Sequence, residues 1–344
     1  MARPTGSTAV NLNPGDQVGK YSNIERLGSG AFGTVYLMRD TLINREVAVK
    51  FVENQNPTAF VAHFEAQILH QYRNDRIVSV NSVDVVQDSV GRHFAAIDME
   101  FIPDGSAQTL VERSHVTIRK AIKVTIDTLI ALEHAHRNNI LHRDIKPANI
   151  MIAGARAKLS DFGLAATASA SLSASGAGSP VYCAPEVIND NATTIRTDIF
   201  SVGMTLFQLA NNISNLAARI PSMGTIRMGR VIQTIGYSDY FPRRLRLVCN
   251  RACTFDPDHR YETAFAMRQA LEKLQVKQEW TQLAQDSWQA HVGNQVHEMT
   301  IDHAPSIEMV YRINGRRKNA NCVLVSSAET ATKALHRWIY SNTF

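Results

Sequence analysis

The sequence has little cysteine and no long apolar run. Its 344 residues include only four cysteines, too few for a disulfide-rich secreted scaffold. Cys249 and Cys253 lie one helical turn apart, but no second Cys/His pair in the sequence completes a zinc-binding pattern. No stretch of about eighteen apolar residues occurs, so no transmembrane helix is expected. We therefore expect a cytoplasmic protein with reduced thiols.

Charge of one sign is not in strong excess. The chain has 36 Lys and Arg residues against 31 Asp and Glu residues, a net charge of +5. This balance fits an anionic ligand such as a nucleotide, but it does not require nucleic acid. Residues 1–17 are polar, rich in Pro and Gly and lack the apolar core of a signal peptide. They are expected to form a disordered leader.

Strand-type and helix-type patterns separate along the chain. Short runs such as "GTVYLMRD" and "REVAVKFV" predict a strand-rich part up to about residue 101, interrupted by a helix in "PTAFVAHFEAQILHQY". After "IPDGS", helical periodicity dominates, and "DIFSVGMTLFQLA" is apolar on most faces, as is typical of a central helix. This order predicts two lobes, and ligands favour clefts between such units.

The last stretch, residues 275–344, has a different pattern. "EWTQLAQDSWQAHV" is interpreted as a helix, and Asn314-Gly315 is a strong hairpin signal. Strands are expected near 296–301, 307–313 and 321–326, and a final helix over 329–340. The prediction is a small α-β-β-β-α module.

This order is reminiscent of double-stranded-RNA-binding domains, and Arg316, Arg317 and Lys318 lie at the predicted hairpin tip. No alternation of aromatic and basic residues supports base stacking, however. A solvated tip on a docking or dimerisation module is the favoured interpretation, with RNA binding as the alternative.

A glycine-rich segment, "GSGAFG", precedes the strand-like "TVYLM". The glycines therefore belong to a strand-turn-strand hairpin and not to the helix N-terminus of a dinucleotide site. Glycines let backbone N–H groups approach phosphate oxygens, although a plain turn would have the same composition. The next strand, "VAVK", ends at Lys50, whose ammonium needs a carboxylate to hold it inward. Glu65 is the candidate, and the pair would clamp the phosphates of a nucleotide.

Two further motifs carry carboxylates. "LHRDIKPANI" contains Asp144 and Asn149 inside an apolar frame, and "DFG" contains Asp161. The segment "NIMIAGARAKLS" is long enough for a β-hairpin, which would bring the two aspartates to the same end of that hairpin. Oxygen-only ligands of this kind suit Mg²⁺, which takes its other ligands from phosphates and water.

In this order the motifs resemble the Ser/Thr branch of the protein kinase superfamily, from Tyr21 to about Leu274. The series comprises "GSGAFGTV", "VAVK", the helix Glu65, "HRDIKPAN", "DFG", "APE", "DIFSVG" and "DPDHR". The resemblance implies an α+β, bilobal fold with a small α-β-β-β-α C-terminal module. The expected domains are a kinase domain at 18–274, with a β-rich N-lobe (18–101) and a helical C-lobe (103–274), and an accessory module at 275–344.

The resemblance also implies roles for individual residues. Asp144 would accept or orient the proton of the attacking hydroxyl, Lys146 would neutralise charge on the γ-phosphoryl, and Lys50 and Glu65 complete the catalytic set. Asn149 and Asp161 would hold Mg²⁺, with Mn²⁺ as an alternative ion. The expected ATP-binding residues are Leu27, Gly28, Ser29, Gly30, Ala31, Phe32, Gly33, Val35, Ala48, Lys50, Met99, Glu100, Ile102 and Met151.

Other residues receive structural roles from the resemblance. His142 is expected to pack against Phe162 and not to act as a base. Glu186 and Arg260 are expected to form a buried ion pair, and Asp198 to brace the catalytic-loop backbone.

The implied function is transfer of the ATP γ-phosphoryl group to Ser or Thr hydroxyls of protein substrates. "GSPVYCAPE" resembles a peptide-docking segment, with Ser179 where the family carries a Thr. The loop that contains Ser169, Ser171, Ser173, Ser175 and Ser179 has two interpretations: a site of autophosphorylation, for which a homodimer would allow the reaction in trans, or a flexible Ala/Ser/Gly linker that carries no phosphate. The alternatives are a non-catalytic pseudokinase scaffold, which would lack residues such as Lys50 or Asp144, and a kinase whose C-terminal module binds RNA or a protein partner.

Overall fold

A computed structural model describes residues 10–30, 33–52, 56, 58, 61, 74–88, 91–162 and 180–344. The described residues fall into two units. The first lies within residues 1–105, 134–142 and 151–179, and the second within 106–133, 143–150 and 180–344. The two units are described separately below.

A six-stranded antiparallel sheet, counted over the described residues, forms most of the first unit. Its strands are β1 (Gln17–Val18), β2 (Tyr21–Gly30), β3 (Gly33–Asp40), β4 (Arg45–Val52), β5 (Val80–Gln87) and β6 (His93–Glu100). Their order across the sheet is β1-β2-β3-β4-β6-β5. The strand-rich start predicted from alternating apolar residues is therefore confirmed.

Strand β4 is buried on both faces of this sheet. Val47, Val49 and Phe51 belong to one apolar cluster. Ala48 and Val52 belong to a second. Because successive side chains of a strand point to opposite faces, Lys50 lies on the same face as Ala48 and Val52.

The segment that precedes β1 is ordered where it is described. Val10 is buried in an apolar cluster of the sheet, and its carbonyl oxygen accepts a hydrogen bond from the Tyr36 hydroxyl at 2.7 Å. The backbone N–H of Leu12 donates to the same hydroxyl at 3.2 Å. The predicted disordered leader is thus wrong for residues 10–17, because a distant tyrosine satisfies backbone groups that local composition cannot reveal. Residues 1–9 lie outside the described residues.

The hairpin expected between the two aspartate motifs is present. It consists of β7 (Ile150–Ala153) and β8 (Arg156–Leu159). The end of β8 is held by backbone hydrogen bonds, since Leu159 donates to the carbonyl of Arg76 at 2.8 Å and Val78 donates to the carbonyl of Leu159 at 3.0 Å. These bonds determine where the chain enters the Asp161 motif.

Helices make up most of the second unit before residue 275. They are α1 (Ala107–Arg113), α2 (Ile118–Arg137), α3 (Pro185–Asp190), α4 (Ile195–Ala210), α5 (Met223–Arg227), α6 (Val231–Ile235), α7 (Arg243–Ala252) and α8 (Ala264–Glu272). Short 3-10 helices lie at Pro147–Asn149, Pro180–Tyr182, Ala217–Arg219 and Pro257–His259. The last turn of α2, from His134 onward, groups with the first unit. Within the described ranges, no helix is both long and apolar enough to cross a membrane.

Helix α4 is central, as its sequence predicted. Every residue from Thr197 to Ala210 is buried. Thr194 caps its N-terminus by accepting a hydrogen bond from a backbone N–H of the first turn, which satisfies a donor that the helix itself cannot pair.

The C-terminal part of the second unit is an antiparallel sheet covered by one helix. The strands are β9 (Glu279–Ala284), β10 (Ser287–Val292), β11 (Gln295–Asp302), β12 (Glu308–Ile313), β13 (Arg316–Arg317) and β14 (Val323–Leu324), and the helix is α9 (Ala328–Asn342). The sheet order is β13-β12-β11-β10-β9, and β14 also pairs with β12. The predicted hairpin turn is confirmed, since Asn314 and Gly315 have positive φ angles of 50° and 74°.

The helix predicted over "EWTQLAQDSWQAHV" is wrong, because this segment forms the β9–β10 hairpin. Its turn, Gln285-Asp286, contains neither Gly nor Pro, so the sequence offered no clear break. Trp288 and Ala290 alternate toward the core at the period of a strand. Because this segment is not a helix, the predicted α-β-β-β-α order is wrong. The likeness to double-stranded-RNA-binding domains rested on that order and is not supported by the observed fold.

The C-terminal sheet and α9 pack against the preceding helices. Tyr240 belongs to the same buried cluster as Trp280 and Trp288. Arg119 of α2 donates to the carbonyl oxygen of Val276 at 2.6 Å and pairs with Glu279 at 2.9 Å. One apolar core in the second unit therefore includes residues from both sides of position 275.

Candidate active site

The residues expected to surround adenine share one apolar cluster in the first unit. Ala48, Met99 and Ile102 are buried within it, and Val35 and Met151 pack against it. They come from β3, β4, β6, the segment after β6 and β7, so the fold brings together residues that are far apart in the sequence. Leu27, by contrast, is 43% exposed.

The glycine-rich segment is the β2–β3 hairpin. Gly28 pairs with Val35, Ser29 with Thr34, and Gly30 with Gly33. Gly33 has a φ of +137°, and a Cβ atom there would overlap the carbonyl oxygen of Phe51. Glycine is therefore required at position 33 by both conformation and space. Ala31 and Phe32, at the tip of the motif, lie outside the described residues.

Lys50 and Asp161 form an ion pair in the first unit. Lys50 Nζ lies 2.8 Å from Asp161 Oδ1, and the Lys50 side chain is only 6% exposed. The sequence analysis predicted Glu65 as the partner of Lys50, and Glu65 lies outside the described residues, so that pairing stays a prediction. Asp161 has a φ of 65°, in the left-handed region that few residues other than Gly and Asn adopt. The surrounding structure must hold Asp161 in this unfavourable backbone conformation. Residues held in this way are common at functional sites.

Glu100, one of the expected ATP-binding residues, has its side chain engaged in other contacts. Its carboxylate accepts hydrogen bonds from Lys158 Nζ at 2.6 and 2.8 Å and from the backbone N–H of Ser79 at 2.7 Å. Sequence reasoning did not identify Lys158, because residues 58 positions apart in the chain show no local pattern. These bonds hold the end of β6, next to Ile102 of the expected ATP-binding set.

His142 has the structural role that the resemblance implied. Its ring packs edge-on against Phe162, with 4.7 Å between the ring centroids. Its Nε2 lies 2.7 Å from the carbonyl oxygen of Ser160, and the residue is fully buried. This histidine therefore orders the segment that carries Asp161.

The catalytic-loop residues are gathered around Asp144 in the second unit. Lys146 Nζ donates to both carboxylate oxygens of Asp144, at 3.0 and 2.7 Å. Asn149 Nδ2 donates to the Asp144 carbonyl at 2.7 Å and to its Oδ2 at 2.9 Å. Since the amide nitrogen is the donor in both bonds, the amide oxygen is the atom suited to bind a cation.

The backbone of this loop is anchored at three points. Ile145 and Ile150 are buried, which explains the apolar frame around so many charges. The backbone N–H of Arg143, a residue with a φ of 67°, donates to Asp198 Oδ1 of α4 at 2.9 Å. Asp198 therefore braces the loop, as the resemblance implied, and stabilises an unfavourable backbone conformation.

Glu186 and Arg260 form the expected buried pair. Arg260 donates to the two carboxylate oxygens of Glu186 at 2.6 and 2.9 Å, and its side chain has no exposed surface. It also donates to the carbonyl oxygens of Thr254, Phe255 and Arg196. These bonds satisfy the whole guanidinium group, which makes the pair a structural element.

Cys183 is a residue near the catalytic loop that sequence reasoning did not single out. Burial raises the pKa of its thiol to about 11, the Asp144 charge adds to this increase and the Lys146 charge opposes it. The thiol is therefore protonated at neutral pH and is a poor nucleophile.

The donor atoms fit a hard divalent cation. Asn149 and Asp161 each offer oxygen atoms, which Mg²⁺ prefers, and no cluster of three or more His, Cys, Asp or Glu side chains that could hold a metal occurs within the described residues. Asn149 belongs to the second unit and Asp161 to the first.

Comparison with known proteins agrees with this fold. The model of the protein kinase domain family matches residues 21–273, and the chain belongs to this family. Its members use ATP with a divalent metal ion.

Bacterial kinases are among the relatives and structures that resemble the chain. It is 29% identical over 263 residues to Serine/threonine-protein kinase PrkC of Bacillus subtilis, covering 72% of this chain and 39% of that protein. It is 29% identical over 267 residues to Serine/threonine-protein kinase PknB of Mycobacterium leprae, covering 72% and 42%. The chain thus spans about two fifths of the length of these relatives. The crystal structure of the Mycobacterium tuberculosis PknI kinase domain matches 76% of this chain and 99% of its own, with a TM-score of 0.54 and 20% identity, which shows the fold.

Proposed function

We propose that the protein is a Ser/Thr protein kinase that transfers the γ-phosphoryl group of ATP to hydroxyls of protein substrates. The observation that supports this most directly is the arrangement around Asp144, where Lys146 and Asn149 both donate to its carboxylate. A non-catalytic scaffold would have no need for a carboxylate held in this way.

Asp144 is the residue that orients the acceptor. Its carboxylate accepts a hydrogen bond from the substrate hydroxyl and takes up the proton as the oxygen attacks phosphorus. Lys146, at 2.7 Å from the same carboxylate, offers a positive charge to the transferring phosphoryl group. The protein contributes mainly position and charge, since phosphoryl transfer needs little covalent chemistry from the enzyme.

The nucleotide is assigned to the first unit. Adenine fits the apolar cluster of Ala48, Met99 and Ile102, and the backbone near Glu100 and Ile102 offers hydrogen bonds to its edge. The β2–β3 glycines offer backbone N–H groups to the phosphates. Lys50 supplies a positive charge to the α- and β-phosphates.

The metal ion is proposed to be Mg²⁺, held through the oxygens of Asn149 and Asp161, with Mn²⁺ as an alternative. When bound, it would neutralise phosphate charge. Lys50 Nζ lies 2.8 Å from Asp161 Oδ1, so Lys50 also helps to position the carboxylate proposed to bind the metal ion.

The acceptor specificity is proposed from Lys146 and from the names of the relatives. Tyrosine-specific members of the family lack a lysine at the spacing of Lys146 from Asp144. Both PrkC and PknB are named serine/threonine-protein kinases.

Substitution of Asp144 tests the proposal. Asp144→Asn keeps the size of the side chain and removes the proton acceptor, so phosphate transfer to Ser- and Thr-containing peptides should fall by about 10²- to 10⁴-fold. ATP binding, measured by titration calorimetry, should change little because Asp144 is not assigned to the nucleotide. Asp190→Asn, an exposed aspartate at the end of α3, is the matched control and should retain activity. Equal activity in the Asp144 and Asp190 variants would show that the assigned base is wrong.

Phosphorylation of the loop that contains Ser169, Ser171, Ser173, Ser175 and Ser179 stays a prediction, since these serines lie outside the described residues. Mass spectrometry of the protein after incubation with Mg-ATP would locate the phosphate. An unmodified loop in a fully active enzyme would contradict autophosphorylation. A homodimer that acts in trans, RNA binding by the C-terminal part and a cytoplasmic location also stay predictions.

A further inference from the structure

Helices α7 and α8 border a surface groove that takes no part in the proposed reaction. Its volume is about 390 Å³, in the range of ligand-sized clefts. Leu247 and Val248 of α7 and Ala266 and Ala270 of α8 line it. All of its lining residues belong to the second unit, so the groove is complete within one unit.

One face of α7 points into this groove. Arg244, Leu247, Val248 and Arg251 follow the spacing i, i+3, i+4, i+7, which places them on one side of the helix. Leu247 is 61% exposed although a surface helix would ordinarily present a polar side chain there. An exposed apolar side chain next to further apolar lining residues indicates a contact surface.

Three cations lie along the groove. Arg244 and Arg251 stand at the two ends of the α7 face, about 10 Å apart along the helix axis at 1.5 Å per residue. Lys273 lines the groove at the end of α8. Across the part of the chain that the structure describes, none of the three forms an ion pair. No carboxylate lines the groove, and Glu272, which adjoins it, pairs with Arg268 at 2.6 Å.

The position of Arg251 is fixed by an aromatic contact. Its guanidinium carbon lies 4.4 Å from the ring centroid of Tyr261, itself a lining residue. A cation–π contact of this kind reduces the side-chain freedom of the arginine before any ligand arrives. The positive charge is therefore held beside an aromatic ring that also lines the groove.

We propose that this groove binds an acidic, amphipathic helix of a partner protein. The apolar floor matches leucine-type side chains at i, i+3 and i+7, and the three rim cations match glutamates that flank them. A fatty acid is a poorer fit, because its single carboxylate cannot pair with both Arg244 and Arg251, which lie about 10 Å apart along the helix axis. The proposal concerns residues that the kinase reaction does not use, so its success or failure is independent of the proposed function.

A synthetic peptide tests this surface on the full chain. The probe is a fluorescein-labelled amphipathic peptide of about four helical turns, with Leu on one face and Glu on its flanks. We expect saturable binding by fluorescence anisotropy that weakens as salt is added. A scrambled peptide of the same composition should bind more weakly, because its leucines no longer share a face.

Paired variants localise the binding. Arg251→Glu should weaken binding by about fivefold, since it replaces an attraction by a repulsion, whereas Arg243→Glu, an exposed arginine of α7 outside the groove, should leave it nearly unchanged. Leu247→Ser should weaken binding by about tenfold without affecting the fold, because this side chain is mostly exposed.

Several results would overturn the proposal. They are the absence of saturable binding up to about 1 mM peptide, equal losses in the Arg251 and Arg243 variants, and equal affinity for the scrambled peptide. Displacement of the peptide by dodecanoate that binds more tightly would assign the groove to a lipid chain instead. Circular dichroism of each variant, measured separately, confirms that the protein is folded.

Discussion

The indole ring of Trp288 packs against the phenol ring of Tyr240, with 5.0 Å between the ring centroids and 58° between the planes. Trp288 lies on β10 of the C-terminal sheet, and Tyr240 lies just before α7. His115 and His336 pack against the same indole, with centroid distances of 4.8 and 5.9 Å. This aromatic cluster joins the C-terminal sheet to the helices of the kinase-family region, so the sheet contributes to the stability of the whole second unit.

Truncation of Trp288 should therefore be costly. Trp288 is 1% exposed, and Trp288→Ala should lower the free energy of unfolding by about 3–5 kcal/mol because it leaves a large cavity. Leu283→Ala is the control, since this neighbour on β9 is 61% exposed and should change stability by less than about 0.5 kcal/mol. Urea denaturation of both variants provides the measurement. Similar midpoints would mean that the packing of Trp288 contributes little to stability.

His115 should make stability depend on pH. Burial lowers its pKa to about 4, against a usual 6.5. Between these values the unfolded state binds more protons than the folded state, so the stabilisation is complete above pH 6.5 and is lost as the pH falls toward 4. Between pH 7 and pH 5, His115 alone should reduce the free energy of unfolding by up to about 2 kcal/mol.

Comparison of variants isolates this contribution. Denaturant unfolding of His115→Phe at the two pH values should show a smaller change than the native protein. His291→Phe, which alters an exposed histidine on β10, should behave like the native protein. Burial also lowers the pKa of His336, which adds a pH dependence of the same sign to the free energy of unfolding. His336 is present in both variants, so this contribution does not affect their comparison. A native-like pH dependence in His115→Phe would refute this account.

The two ends of the glycine-rich motif should respond differently to an added methyl group. Gly33→Ala places Cβ against the carbonyl oxygen of Phe51 at a positive φ, and should lower stability by more than about 2 kcal/mol. Gly28→Ala meets no atom within 4 Å and should change stability by less than about 1 kcal/mol. Thermal unfolding distinguishes the two, and equal losses would show that the β2–β3 turn relaxes freely.

Removal of Arg260 should leave a buried charge without its partner. Arg260→Met should lower the free energy of unfolding by about 3–5 kcal/mol, because Glu186 would lose its bidentate partner. The double variant Glu186→Met with Arg260→Met should recover part of this loss. Arg39→Met serves as the control, since the Arg39–Glu46 pair is roughly half exposed and contributes about 0–1 kcal/mol. A loss as small as that in the control would exclude a structural role for the buried pair.

Much of the fold was accessible from local patterns. Alternation predicted the strands of the first sheet, and the apolar faces of "DIFSVGMTLFQLA" predicted the buried helix α4. The Asn314-Gly315 pair predicted the hairpin turn that these two residues form. Gln285-Asp286 contains no Gly or Pro and is not an Asn-Gly or Asp-Gly pair, so the sequence does not predict the β9–β10 hairpin. Local composition predicts a disordered leader around Val10, because its hydrogen-bond partner, Tyr36, is distant in the sequence.

The sequence by itself determined which chemical groups are available and in what order. The motifs from "GSGAFG" to "DPDHR" place carboxylates, ammonium groups and glycines at spacings that define a kinase-family domain. Only the tertiary structure decided which of these groups meet. Lys50 pairs with Asp161, Glu186 with Arg260, and Trp288 packs on Tyr240, all across long stretches of chain. Periodicity and turn chemistry act over a few residues, whereas such contacts depend on how whole strands and helices pack.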